Sequence, residues 1–373
     1  MNIAVLIALI GLGRPPQAKP FPIAVWLQDP SNAARYEAAG FNLYVGLWRG
    51  PTENQLTTLT AAGMPVICEQ NAVGLSHIKD PIIYGWMHGD EPDNAQELKD
   101  PVTGKTGYGP CIPPQKIVDE YNLFRTKDST RPIMLNLGQG VANDEWYGRG
   151  NGASLKDYET YVKGGDIVSF DVYPIAGLEK PDPENYLWYV PKGVDRLNKW
   201  MAGKGQAWNC IECTRIDRDR KATPAQVRSE VWMSLIHGSK GLIYFVHQFK
   251  PTFDEHALLD DPEMLTAVTT LNKQIVSLSA VLTSPSINGA VTVASSSPDV
   301  PIDIMTKKVG NTTYIFAVSM RNAPTRAHFS MTKAPRQSKA EKLWENKTIP
   351  IVDGSFDEAF KPYEVHAYMI TRD

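Results

Sequence analysis

The sequence predicts a parallel (β/α)8 barrel over residues 21–285, followed by a small antiparallel β-sandwich over 286–373. Three observations carry this expectation. Between 21 and 285, eight short apolar β-rich runs alternate with helical patterns, the rhythm of parallel strands joined by crossover helices. The first strand is not followed by the glycine-rich phosphate turn that marks a doubly wound open sheet, so that alternative is disfavoured. After residue 286 the helical pattern gives way to short alternating strands separated by turn residues.

The barrel strands read, in order, 22–28 (PIAVWLQ), 41–48 (FNLYVGLW), 64–70 (MPVICEQ) and 82–88 (IIYGWMH), then 132–138 (PIMLNLG), 166–173 (DIVSFDVY), 206–212 (QAWNCIE) and 241–248 (GLIYFVHQ). Helical stretches such as TENQLTTLTAAG and TPAQVRSEVWMSLIHGSK lie between them, several beginning at Ser, Thr or Pro and ending at Gly, as capped helices do. In the second part, VTVASSS, PIDIMTKK, TTYIFAVSM, RAHFSMTK and YEVHAYMI read as strands, with Gly310-Asn311 in a hairpin position. This part shows no cluster of titratable groups, and its expected role is to pack against the barrel. Residues 1–20 form a separate apolar segment.

Composition narrows the partners. With 42% hydrophobic and 21% charged residues, the chain is of ordinary globular type. Its 38 basic and 41 acidic residues give a net charge of -3 with no basic run, so no nucleic-acid partner is expected. Nine Trp and fifteen Tyr suit sugar rings as well as ordinary packing. No apolar run reaches the length of about 20 residues that spans a bilayer, so no membrane span is expected. The stretch Ile3–Leu12 reads as the hydrophobic region of an export signal, implying a secreted or periplasmic protein, or else as a capping strand. Neither a preceding basic residue nor a clean cleavage site accompanies it. Of the four cysteines, Cys210 and Cys213 form a C-x-x-C on a strand, where side chains three apart face opposite ways and make a poor metal or redox pair. Cys68 and Cys111 would be available for a disulfide in an exported protein.

Barrel enzymes carry their chemistry at the C-terminal strand ends. Those positions hold Gln28-Asp29, Trp48-Arg49, Glu69-Gln70, His88-Gly89-Asp90-Glu91, Asn136 to Gln139, Asp171 to Tyr173, Glu212, and His247-Gln248. The absence of Lys disfavours a Schiff-base lyase, and VWLQD lacks the His-x-His of barrel metal amidohydrolases, so no metal and no cofactor are expected. Glu91 and Glu212 stand out, because a carboxylate ending a buried strand is costly unless paired or used. Strands four and seven face each other across the barrel. Two carboxyls so placed can approach the separation of about 5 Å at which one protonates a glycosidic oxygen and the other attacks the anomeric carbon. The competing reading is that each glutamate pairs with an arginine such as Arg49 or Arg215.

The segments GWMHGDEPD, FDVYP and NCIECT resemble the clan A glycoside hydrolases, retaining (β/α)8 enzymes with catalytic glutamates after strands four and seven, many with a companion sandwich. The resemblance implies that Glu91 is the acid/base and Glu212 the nucleophile. It places Tyr173 where many members have a tyrosine that hydrogen-bonds the nucleophile. Most members carry Asn directly before the acid/base, whereas this chain has Asp90, which can accept from a sugar hydroxyl but not donate unless protonated. Adjacent carboxyls also raise one another's pKa, which suits a general acid.

Other candidate substrate contacts are weighed against packing. Trp26, Trp48, Trp86 and Trp208 can stack on sugars or fill barrel layers. His88 and His247 can bind hydroxyls or sit satisfied in the wall, and Asn136 stands at a strand end beside them. Asp171 shares a strand face with Tyr173 and either joins the site or pairs with Arg49. The glycine- and proline-rich segment 92–112 is expected to form one wall of the cleft. The expectation is thus a retaining glycosidase acting on a carbohydrate, with a non-catalytic saccharide-binding barrel and an inverting glycosidase as alternatives.

Overall fold

A computed structural model describes residues 20–146, 148, 152–217, 219–332 and 337–371; the stretch Ile3–Leu12 lies outside them. Strands β1 (Ile23–Trp26), β2 (Leu43–Val45), β3 (Val66–Cys68), β4 (Ile83–Met87), β5 (Ile133–Leu137) and β6 (Ile167–Phe170) pair in parallel in chain order. β7 comes in two pieces, Gln206–Ala207 on β6 and Asn209–Glu212 on β8 (Leu242–Phe245). Trp208 joins them, its N–H donating to Val168 O at 2.9 Å, and β8 pairs back to β1. The result is a closed (β/α)8 barrel.

Strand alternation sorts the side chains into two layers. Ala24, Trp26, Val45, Met87, Trp208 and Ile243 fill the barrel interior. Val25, Tyr44, Cys68, Trp86, Ile211 and Tyr244 face the helices instead. Those helices begin where capping chemistry places them. Thr52 and Gln55 form a capping box on α2 (Glu53–Ala61), as do Thr223 and Gln226 on α7 (Pro224–Ile236). Between β3 and β4 the chain makes only a five-residue helix, Ala72–Ser76, too short to leave an amphipathic period in the sequence. Segment 92–112, expected as plain loop, contains an exposed hairpin pairing Glu97–Lys99 with Thr106–Tyr108.

The C-terminal part has eight strands rather than the five read from the sequence: β9 (Val291–Ser295), β10 (Ile302–Val309), β11 (Thr312–Ser319), β12 (Thr325–Met331), β13 (Gln337–Lys342), β14 (Lys347–Val352), β15 (Ser355–Phe360) and β16 (Val365–Thr371). They form one antiparallel sheet in the order β9-β12-β15-β14-β13-β16-β11-β10. The missed strands are polar and largely exposed on one face, which hides their alternation. Folding the sheet over itself buries Phe329 stacked on Phe356, with ring centroids 4.6 Å apart. The sandwich docks through α7, where buried Trp232 stacks on Phe316 at 4.9 Å.

Candidate active site

The mouth of the barrel gathers carboxyls from two strand ends. Beyond β4, Asp90 is open to water on one side and walled by protein on the others. Its Oδ1 accepts from Asn136 Nδ2 of β5 at 2.8 Å, and Asn136 Oδ1 accepts from Ser169 Oγ of β6 at 2.6 Å. Three successive strands are thereby tied together. Glu91 follows with φ +42°, a left-handed conformation in front of Pro92. Such a backbone costs of order 1–3 kcal/mol in a residue other than glycine. Bonds from Glu91 N to Asn136 O (3.2 Å) and from Asn94 N to Glu91 O (3.1 Å) hold it in place. Asp93, 2% exposed, accepts from Gly138 N at 2.9 Å and from Tyr158 Oη at 2.8 Å.

From the end of β6, Asp171 reaches the same place and hydrogen-bonds the Glu91 side chain. Tyr173 Oη lies 3.4 Å from Asp171 Oδ2. Asp90, Asp93 and Asp171 make no ion pair with a cation among the described residues. Burial, then the charges of Glu91 and Asp90, push the Asp171 carboxyl well above the usual range. Crowding by protein and the Glu91 charge raise Asp90 to about 7, and burial raises Asp93 to about 7 against the pull of the Gly138 N–H. Carboxyls this close cannot all ionise together, so the group retains protons at neutral pH. Glu91, Asp171 and Tyr173, with Asn94, Gln139 and Trp146, line a cleft of about 230 Å³.

An aromatic band leaves this cleft. Tyr173 touches Phe245 (5.3 Å between rings), Phe245 touches His247 (5.0 Å), and Trp48 stacks on His247 at 5.8 Å and 15°. Trp48 is 44% exposed, and Arg49 beside it is also exposed, with φ +52°. His247 itself is buried, its Nε2 2.9 Å from Leu27 O, so it supports Trp48 rather than facing the cleft.

Several expected site residues lie elsewhere. Glu212 is fully buried, and its two oxygens accept from the amides of Ile175 (2.7 Å) and Ala176 (2.6 Å), because the loop after β6 folds over the end of β7. Behind it stands Glu230 of α7, also fully buried. His88 points away from the mouth, since Met87 takes the inward position. Its ring bridges Glu120 Oε2 (2.6 Å) and Gly164 O (2.8 Å). Trp208, with Trp26, fills the barrel interior and offers no platform, while Trp86 donates to Asp128 in the helix layer. Asp171 meets Glu91 rather than Arg49. Cys68 and Cys111 are free thiols, the first inside the barrel–helix core and the second against a different cluster. Asp93, Asn94, Trp146, Tyr158 and Ser169 belong to the site and its support, although none stood out in the sequence. The acids at 90, 91 and 93 within four residues were the available signal.

Fold and mouth together give a (β/α)8 barrel with carboxyls gathered at the C-terminal ends of its strands. Neither a family model nor any curated protein matches the sequence. Solved structures do match. A family 42 β-galactosidase from G. stearothermophilus superposes with TM-score 0.60 at 9% identity, over 95% of this chain and 99% of that one. A maltogenic α-amylase from Thermotoga neapolitana gives TM-score 0.52 at 8% identity, over 96% and 100%. The amylase AmyP in complex with maltose gives 0.51 at 9%, over 91% and 88%. These likenesses show the fold, a (β/α)8 barrel with a C-terminal sandwich.

Proposed function

We propose that the chain is an O-glycosyl hydrolase acting on an oligo- or polysaccharide, with Glu91 as the proton donor. The observation that carries the reading is the contact between Glu91 and Asp171 in an open cleft among acids that hold a proton at neutral pH. In the first step the proton that Asp171 shares with Glu91 passes through Glu91 to the glycosidic oxygen, and the ionised members of the group stabilise positive charge developing at the anomeric carbon. As the glycosidic C–O bond breaks, water adds to the anomeric carbon and returns a proton to the Glu91–Asp171 pair, which has just given one up. Trp48 supplies a sugar platform at the far end of the aromatic band, with Arg49 beside it. The retaining scheme with Glu212 as nucleophile requires that carboxylate to leave two backbone amides. We therefore assign Glu212 to holding the loop that carries Tyr173.

The test is a panel of aryl glycosides and polysaccharides, with Glu91→Gln, Asp171→Asn and Glu212→Gln compared under conditions where each protein is folded. The reading expects Glu91→Gln to abolish turnover and Glu212→Gln to retain part of it. Full activity in Glu91→Gln would overturn it. Complete loss in a well-folded Glu212→Gln would restore the retaining pair. A second reading, saccharide binding without turnover, is favoured by the sealing of Glu212. Saccharide binding by calorimetry, with no product formed across the panel, would select it.

A further inference from the structure

The sandwich sheet pairs thinly at one end. β13 meets β16 through only two residue pairs, Glu341–Met369 and Lys342–Tyr368, and β14 meets β15 at the single pair Val352–Ser355. Near the ends of β13, β15 and β16 a groove of about 600 Å³ opens, larger than the cleft at the barrel mouth. It brings together Arg326, Lys342, Lys347, Lys361, Glu358 and Glu364 around His366, a cluster that the sequence pattern did not reveal because these residues lie on five different strands and the turns between them.

Two of the cations are answered within the fold. Lys342 pairs with Glu345 at 3.0 Å, and Lys347 pairs with Glu358 at 3.8 Å. Arg326 and Lys361, both exposed, make no ion pair among the described residues. His366 is 5% exposed, with Nε2 3.2 Å from Ala359 O. That contact assigns the ring proton to Nε2 and leaves Nδ1 as an acceptor, yet Nδ1 has no hydrogen-bond partner. Glu345 lies 3.9 Å from Nδ1 and is itself an acceptor, while Glu364 lies 3.5 Å from Nε2. Tyr368 Oη is likewise buried without a partner, on a ring 6.1 Å from His366. Both atoms are sealed inside the fold, so the polar groups the groove itself offers are its charged side chains.

We propose that this groove binds an acidic saccharide segment, presenting its anionic group to Arg326 and Lys361 and its hydroxyls to Glu358 and Glu364. A sugar hydroxyl both donates and accepts, which matches a surface where cations alternate with Glu358 and Glu364. A densely charged polyanion would be repelled by those two carboxylates, whereas spaced charges are not. The choice of a saccharide over other anions rests on the glycosidase reading of the barrel. Carboxylate and sulfate sources share this chemistry, and separate probes tell them apart.

The full chain carrying Glu91→Gln is titrated calorimetrically with a galacturonate hexamer, a chondroitin sulfate hexasaccharide and neutral cellohexaose. The same titrations are repeated after adding Arg326→Gln and Lys361→Gln, two exposed substitutions whose folding is checked by thermal melting. The expected result is binding of an acidic probe that weakens with salt and falls about tenfold in the double substitution, while any neutral-sugar binding stays unchanged. Binding of the uronate alone or of the sulfate alone identifies the anionic group. The proposal is overturned if no acidic probe binds, or if the double substitution leaves the acidic affinity unchanged. Loss of the barrel reading would appear separately, as absent turnover in the parent chain.

Discussion

The ends of β4 and β7 each present a glutamate, and the surroundings give the two side chains opposite fates. After β4 the chain turns through Gly89 and the left-handed Glu91, and the segment that follows runs outward as the exposed hairpin. Glu91 meets Asp171 and lines the cleft with Asn94, Gln139, Trp146 and Tyr173. After β6 the segment 174–178 folds inward over β7. Its Ile175 and Ala176 amides point at Glu212, and its Ile175 and Leu178 carbonyls accept from Arg220. One glutamate thus has a left-handed backbone and lines the cleft, while the other is sealed behind a loop. A strand-end carboxylate reaches the cleft only where the neighbouring loop does not fold over it.

The largest effect expected from breaking this contrast is at Glu91. Glu91→Gln keeps the shape and the backbone conformation but removes the transferable proton. Turnover on whichever glycoside the parent cleaves should fall by roughly 10²–10⁴-fold, while the thermal midpoint stays where it was. Steady-state kinetics beside a melting curve checks both halves. A drop in stability of similar weight to the loss of activity would mean that Glu91 is as structural as Glu212.

Glu212→Ala should show the reverse pattern. Two buried amides lose their acceptor, at about 1–3 kcal/mol each, so urea unfolding should report a loss of about 2–5 kcal/mol. Turnover of the folded fraction should fall only as far as Tyr173 and Asp171 shift with their loop. Unchanged stability would show that water reaches those amides and that Glu212 is less sealed than its burial implies.

These contrasts mark what was legible in the sequence. Barrel strands carry continuous apolar runs because both faces are buried, and the eight runs stand out for that reason. The position of Glu91 at the mouth was legible too, since Gly, Asp, Glu and Pro after an apolar strand mark the strand's end. The fate of Glu212 was not, because it depends on a loop more than thirty residues away in the chain that brings two N–H groups to it. His88 lies away from the mouth for a related reason, since the face a strand residue takes depends on where the strand register begins, and a one-position error exchanges interior and exterior. Trp208 does face the interior, but it is sealed within a barrel layer. Asp171 was placed on the correct face, but its choice of Glu91 over Arg49 is a matter of tertiary distance.

Glu230 sharpens the comparison through pH. Burial and the Glu212 charge hold its proton well above the usual carboxylate range, while burial raises Glu212 to about 7 against its two amide bonds. A carboxyl whose proton affinity is higher folded than unfolded stabilises the fold fully below its unfolded pKa, about 4.3 for Glu. That contribution is lost as pH rises through the folded value. Stability should therefore decline between about pH 5 and 8. Glu230→Gln mimics the protonated acid and can donate to Glu212. It should be nearly neutral at pH 5, stabilising by about 1–2 kcal/mol at pH 8, and should flatten the decline. A profile equally steep in the variant would place the responsible proton elsewhere, with the Asp90–Asp171 group the next candidate.

The smallest expected effect comes from a half-buried site where opposite charges meet, at the seam between barrel and sandwich. His237 ends α7, with Nδ1 3.0 Å from Asp195 of the barrel and Nε2 3.0 Å from Asp303 of β10. Burial disfavours the imidazolium, but the two aspartates outweigh it and raise the histidine to about 9. The sign matches that of Glu230, for the same thermodynamic reason and a different physical one. Stability from the clamp is complete below about pH 6.5 and disappears as pH climbs through 9. Because both aspartates are partly exposed, solvent screening limits the contribution to about 1 kcal/mol. Asp303→Asn should therefore lower the melting temperature by a few degrees at pH 6 and leave it unchanged at pH 10. If the difference persisted at pH 10, Asp303 would be acting through packing at the seam rather than through the charge on His237. In that case the two parts of the molecule would be joined by Trp232 and Phe316 with no electrostatic share.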